Sequence, residues 1–335
     1  MPLLGVTVPP AQTPRAIGPL LQTPEATGSP LPATGPPRFI VIARTPIARF
    51  IPANSKTATF TPVRPSVQDA KTGKFLFDIP LPPGVKSSWQ VLAAAPDNRT
   101  FVLSGWTGPD SPIRFFRIHL DEKGRPGEPA LIPGFDTDGL SPGYVMALSP
   151  DGTRLALSAT VIGGGVNVSV VDLSTGHRRE WSTSQPGMVL SLAWAPNGHD
   201  LALASSRGGL RILDVRRPGP ELFGATRLVK AVEGFWPLGS VAYAPDGKTL
   251  VYAVRSAIER ISITGEEPPQ VLAQLDRPAT ASLTVVFSLD GTGRHLLYVE
   301  GWRSFQLDLV SGRVTGLPIL VGEHQKKGGS PQAAW

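Results

Sequence analysis

A period of roughly fifty residues constrains this chain more than any other feature in it. One phrase recurs: an apolar strand, a turn of the Ser/Ala-Pro-Asp-Gly kind, then a second apolar strand. It reads VLAAAPDNRTFVLSG from Val91, VMALSPDGTRLALSA from Val145 and LSLAWAPNGHDLALAS from Leu190. It returns as VAYAPDGKTLVYAV from Val241 and VVFSLDGTGRHLLYVEG from Val285. The turn prolines are Pro96, Pro150, Pro196 and Pro245, and the spacing sets Leu289 in the fifth slot. Proline presets φ at the first corner, Asp or Asn bonds the backbone that follows, and Gly accepts positive φ. Alternating apolar residues on either side make each phrase a β-hairpin.

A second phrase follows each first one: a strand, commonly an Asp, then a turn ending in Gly. Its six copies end at Gly73, Gly124, Gly176, Gly219, Gly265 and Gly312, a mean spacing of about 48 residues. Further β-like segments start at Lys74, His177 and Arg313. One unit is therefore four short strands, a to d. A four-stranded meander of that size cannot bury both faces alone, whereas units packed face to face around an axis can. The expectation is an all-β chain, a six-bladed β-propeller of four-stranded antiparallel blades over residues 38–335.

Blade 1 has candidates for strands b, c and d, from Arg38, Thr57 and Lys74, but none for strand a. The missing strand would fall in residues 1–37, which hold ten prolines and no aromatic residue. That composition predicts a disordered, extended linker. The chain ends in SPQAAW, and Trp335 stands where Trp194, Tyr243 and Phe287 end their a strands. Gln332 to Trp335 are accordingly expected to supply strand a of blade 1 and close the ring.

The run LAWAPNGHDLALASSRGGLRILDVRRPG resembles a WD-repeat blade, and SPDG followed by VVDLSTG resembles the TolB-like repeat. The resemblance covers residues 38–335 and implies the propeller fold. The Trp-Asp dipeptide of WD repeats is absent, which favours a bacterial, TolB-like type.

Composition narrows the chemistry. With no cysteine there is no disulfide, thiolate metal site or Cys nucleophile. The net charge is +6, yet the basic residues are scattered in short groups such as His177-Arg178-Arg179, Arg216-Arg217 and Lys326-Lys327. No stripe of alternating Arg and aromatic residues occurs, so nucleic acid is not an expected partner. No apolar run reaches 18 residues, and no basic segment followed by an apolar one opens the chain. The face-value expectation is a cytoplasmic monomer. An upstream apolar anchor on a longer form, which would put the propeller outside the cytoplasm, is the alternative.

The five histidines match no metal-ligand spacing. His199 and His295 fall at the a–b turns, His177 after a c–d turn, His324 in the last long loop and His119 in a strand. Most acids repeat: Asp97, Asp151, Asp246 and Asp290 in a–b turns, and Asp69, Asp172, Asp214 and Asp308 in the c–d phrase. Recurrence at one place per blade points to turn geometry rather than catalysis. No catalytic residue, metal ligand or cofactor is expected, so the chain reads as non-enzymatic.

The non-repeating material lies in the d–a and b–c connections, which share one face. They include segments from Trp106, Gly134, Thr160, Val232 and Gly301. Aromatic and Arg residues on loops are typical binding anchors. The candidates are Trp106, Tyr144, Phe235, Trp236, Trp302 and Arg303. The expected function is a scaffold binding a protein or peptide partner through that face. Two other readings stand beside it: a propeller hydrolase of lactonase or glycan-cleaving type, and a carbohydrate or cell-wall binding module.

Overall fold

The computed structural model describes residues 36–44, 64–82, 85, 92–106, 113–133, 145–160, 164–217, 219, 221–232, 238–275, 286–300, 303–318 and 331–335. Blade 1 contains β1 (Phe39–Arg44), β2 (Ser66–Asp69) and β3 (Phe75–Asp78). Blade 2 is β4 (Leu92–Ala94), β5 (Thr100–Trp106), β6 (Ile113–His119) and β7 (Ala130–Leu131). Blade 3 is β8 (Val145–Leu148), β9 (Arg154–Thr160), β10 (Val166–Asp172) and β11 (Arg178–Thr183). Blade 4 is β12 (Val189–Trp194), β13 (Asp200–Ser205), β14 (Gly209–Asp214), a one-turn helix α1 (Leu222–Ala225) and β15 (Thr226–Lys230). Blade 5 is β16 (Leu238–Tyr243), β17 (Thr249–Val254), β18 (Ala257–Ser262) and β19 (Gln270–Gln274). Blade 6 is β20 (Val286–Leu289), β21 (His295–Glu300), β22 (Arg303–Asp308) and β23 (Val314–Leu317), and β24 (Pro331–Ala334) ends the chain.

These strands form six four-stranded antiparallel sheets, so the chain is a six-bladed β-propeller. Strand c of blade 1 is described from Ser66; the stretch from Thr57 expected to begin it falls largely outside the described residues. Residues 1–35 of the expected linker also lie outside them.

The core explains why strands b are apolar on both faces. Six clusters of buried side chains occur, each between two adjacent blades. Along β1 the side chains alternate: Phe39, Val41 and Ala43 pack toward blade 2, and Ile40 and Ile42 toward blade 6. Successive strand residues point to opposite faces, and each face here meets a neighbouring blade. The sixth cluster, with Leu297 and Val299 against Ile40, Ile42, Ala333 and Trp335, completes the circle.

Ring closure takes the expected form. β24 pairs with β1, matching Ala334 to Val41 and Ala333 to Ile42. Trp335 is 2% exposed. Its backbone N–H donates to Ser288 Oγ of blade 6 at 3.2 Å, and the Ser288 hydroxyl donates back to the Trp335 carbonyl at 3.4 Å. The chain ends thus meet in one sheet, and a side chain of the preceding blade holds the C-terminal residue.

Blade 1 has no a–b turn of its own, and Asn98 of blade 2 covers the gap. Its Oδ1 accepts the N–H groups of Arg38 (2.8 Å) and Phe39 (3.1 Å), and its Nδ2 donates to the Phe39 carbonyl (2.9 Å). Asn98 sits at φ 55°, in the slot that Gly fills in the other turns. Asn tolerates that conformation and adds the side-chain clamp. Asn98→Gly keeps the backbone and removes three hydrogen bonds, so a loss of about 1–3 kcal/mol is expected in denaturant melts. A variant as stable as the parent would show that the clamp contributes nothing.

Candidate functional site

Strands a are the inner edge strands of the six sheets, and together they wall a central channel. A cavity of about 540 Å³ lies there. Its wall takes one small residue from the same position of every blade: Ala93, Ala147, Ala193, Ala242, Ser288 and Ala334. Small side chains let six strands approach one axis, and this repeated alanine was the signal available in the sequence. The mouth on the a–b turn face is ringed by Pro96, Pro150, Pro196 and Pro245, with Gly291 and Gly293 from blade 6.

The turn bonds correct the register of the fifth turn. The closing bonds are Asn98 N–H to Ala95 O, Gly152 to Ser149, Gly198 to Ala195, Gly247 to Ala244 and Gly293 to Asp290. Gly291 therefore occupies the proline slot, and Leu289 ends strand a opposite Leu296, as Trp194 does opposite Leu201. The slot expected for Leu289, and the strand end expected for Phe287, are both two residues early. Sequence spacing misses this because SLDG imitates SPDG while the chain closes its turn on the following TG.

The corrected register singles out Asp290. It stands where Ala95, Ser149, Ala195 and Ala244 stand in the other blades, and its side chain is fully buried. The carboxylate accepts the His295 N–H at 3.1 Å, the Thr292 hydroxyl at 2.8 Å and pairs with His295 Nδ1 at 2.9 Å. Ser149 makes the equivalent backbone bond in blade 3, accepting the Arg154 N–H at 2.9 Å. Asp290 and His295 thus brace a turn that lacks its proline, and His295 is a partly buried, paired side chain rather than a free turn residue. His119, at the end of β6, lies 3.2 Å from Thr100 Oγ1.

The other repeated acids are bound to their own turns. Asp97 Oδ1 accepts the N–H groups of Arg99 and Thr100, and Asp246 those of Lys248 and Thr249. In the c–d turns Asp69 accepts from Lys71 and Thr72, Asp172 from Ser174 and Thr175, and Asp308 from Val310 and Ser311. Asp69 is held below the ordinary carboxylate range by the Thr72 hydroxyl, Asp214 by Arg216 and Asp308 by Arg294. A depressed folded-state value stabilises the fold above the unfolded value and is lost as pH falls through the folded one. The melting temperature should therefore fall progressively as pH drops from about 4 toward 2. A flat profile across that window would remove these turns from the stability argument. Among the described residues no group of three or more His, Cys, Asp or Glu side chains could hold a metal ion.

Of the six loop-face candidates, Tyr144, Phe235, Trp236 and Trp302 lie outside the described residues. Trp106 is described as the last residue of β5, with its backbone opposite Ile113, and its side chain lies outside the description. Arg303 opens β22, is exposed, and pairs with Glu300 across the β21–β22 hairpin. Trp106 and Arg303 both stand at b–c strand ends, on the face opposite the proline ring. Glu300 Oε1, at the same hairpin, is buried without a hydrogen-bond partner.

No protein-family profile matches the chain, and no curated protein sequence matches it. Solved structures do. The chain is similar to one in the crystal structure of a nidogen/laminin complex, with TM-score 0.58 at 12% identity, covering 88% of this chain and 97% of that one. It is also similar to putative TolB from Agrobacterium tumefaciens, with TM-score 0.51 at 14% identity, covering 83% and 88%. At such identities the likeness is one of fold. The class is the closed six-bladed β-propeller, with a TolB propeller among its structural neighbours. No helix among the described residues is long and apolar enough to cross a membrane.

Proposed function

We propose that this propeller is a non-enzymatic scaffold that binds a protein or peptide partner across the face bearing the d–a and b–c connections. The observation that carries the reading is the division between the two faces. On one, short repeated turns tie their carboxylates to their own backbone N–H groups, leaving those acids no catalytic freedom. On the other, the connections differ between blades, from two residues between β17 and β18 to 13 between β7 and β8, and the positions there include Trp106, Tyr144, Phe235, Trp236, Trp302 and Arg303. A structural neighbour was solved as a nidogen/laminin complex, which supports protein binding as a use of this architecture.

The test compares partner recovery by the full chain and by a variant with Trp106, Trp236, Trp302 and Arg303 changed to Ala. Burial of aromatic and Arg anchors is worth about 2 kcal/mol or more each at interface centres, so recovery should collapse. Equal recovery by both proteins, with equal melting temperatures, would move the site off this face.

A further inference from the structure

The seam between blades 6 and 1 is built differently from the other five. Each of those takes at least one buried apolar residue from strand c of the preceding blade: Val67, Phe115, Val168, Ile212 and Ile258. The cluster between blades 6 and 1 takes none from β22. Phe305 and Leu307 pack toward blade 5, so the alternation of the strand turns Ser304, Gln306 and Asp308 toward blade 1. Ser304 and Gln306 stand four and two residues before the turn Asp, where blade 3 has Val168 and Val170.

Polar groups buried in such a seam cost free energy unless they are partnered. Ser304 is 2% exposed, and its Oγ has no hydrogen-bond partner. Gln68 of blade 1 pairs with Ile40, which packs toward blade 6, so Gln68 looks into the same seam. It is 7% exposed, and its Oε1 is also without a partner. Local departures of this kind concentrate at functional sites.

A cavity of about 660 Å³ lies on this face of blade 6, with Gln306 and Asp308 in its wall. The volume is within the range of ligand sites, roughly 300–1,000 Å³. His295 stands opposite Asp308 and Thr315 opposite Gln306 in register, and both reach the cavity. Arg294 of the a–b turn and Ser311 and Arg313 of the c–d turn complete the wall, which places the cavity at the turn face.

The balance of donors and acceptors sets the class of ligand. Both oxygens of Asp308 are spent. Oδ1 accepts the N–H groups of Val310 and Ser311, and Oδ2 accepts Arg294 Nε at 3.0 Å and Nη2 at 2.8 Å. His295 commits its Nδ1 to Asp290. The Arg313 guanidinium, the Gln306 amide and the Ser311 and Thr315 hydroxyls donate no hydrogen bond among the described residues. Two arginines stand in this wall against one carboxylate, so the cavity is cationic and rich in unused donors.

We propose that this cavity binds the oxyanion of a small polar molecule, a phosphate or a carboxylate. The guanidinium of Arg313 grips the oxyanion, a geometry suited to its planar fork, while Gln306 and Thr315 bond the polar body. The cavity opens on the turn face, opposite the face proposed for the protein partner.

Calorimetric titration of the full chain with glycerol phosphate, citrate and glycerol tests this. One of the two anions should bind at one per chain, and the tighter of them identifies the oxyanion; glycerol should not bind. Arg313→Ala should weaken that binding about tenfold or more, the loss expected for a hydrogen bond to a charged group. Its melting temperature should match the parent's, because the residue is exposed. Gln306→Val restores the side chain that blade 3 uses, so it should keep or raise the melting temperature while weakening the anion. The ring resonances of His295 should shift during the titration and those of His119 should not. No saturable heat with either anion would overturn the site. So would binding that survives Arg313→Ala unchanged, or glycerol binding as tightly as glycerol phosphate.

Discussion

A chain lacking residues 331–335 should melt far below the intact protein, as one cooperative loss of the whole ring. Those five residues are β24 and Trp335, under two per cent of the sequence. Their removal strips blade 1 of its inner strand and of its four paired positions with β1. It also removes Ala333 and Trp335 from the cluster that joins blade 6 to blade 1, and leaves Ile40 and Ile42 without their cover. A propeller interface is a link in a closed chain, so one open interface exposes both neighbours. The milder variant Trp335→Ala keeps the strand and empties a site that is 2% exposed. Deleting a buried aromatic costs about 3–5 kcal/mol. For a domain of this size that is a drop of very roughly 10 °C. Thermal melts followed by circular dichroism at two wavelengths would check both. Unchanged melting of the truncated chain would mean that β24 does not hold the ring.

The second large effect comes from a glycine. Gly293 closes the fifth a–b turn at φ 68°, and a Cβ built there would lie 1.9 Å from Pro245 Cγ of the preceding blade. A proline ring cannot swing aside, so the two blades would have to part. Left-handed backbone costs a non-glycine residue about 1–2 kcal/mol, and overpacking adds about 1–3 kcal/mol. Gly293→Ala should therefore destabilise by roughly 2–5 kcal/mol. Gly176→Ala is the matched control. It has the same hand of backbone, φ 72°, and nothing within 4 Å of the added carbon. It should lose only the backbone share. Equal losses in the two variants would show that the proline–glycine contact between blades 5 and 6 is not part of the ring's stability.

How much of this was legible in the sequence follows from what repeats. Five of the six c–d phrases end in positive-φ glycines, at Gly73, Gly124, Gly176, Gly265 and Gly312, so local turn chemistry set the blade number and the strand order. Trp335 was readable as a closing strand because it echoes Trp194 at the end of SPQAAW. The Asp residues of the turns were readable as braces because their partners lie two or three residues away.

Other features depend on residues that neighbour one another only once the ring exists. Asn98 holds Phe39 across 59 positions, and Ser288 holds Trp335 across 47. Nothing local marks either residue. The fifth turn was misread for a related reason: Asp290-Gly291 copies a motif, but the closing hydrogen bond falls on Gly293. The channel was missed because each blade contributes to it only a strand edge and one small residue, too little to register as a site in any single repeat. Sequence alone determined the propeller, its blade count and its closing strand, since those arise from short-range turn geometry and period-two patterning. Only the tertiary structure decided which side chains latch blade to blade and where the channel lies, since those depend on six distant segments converging on one axis.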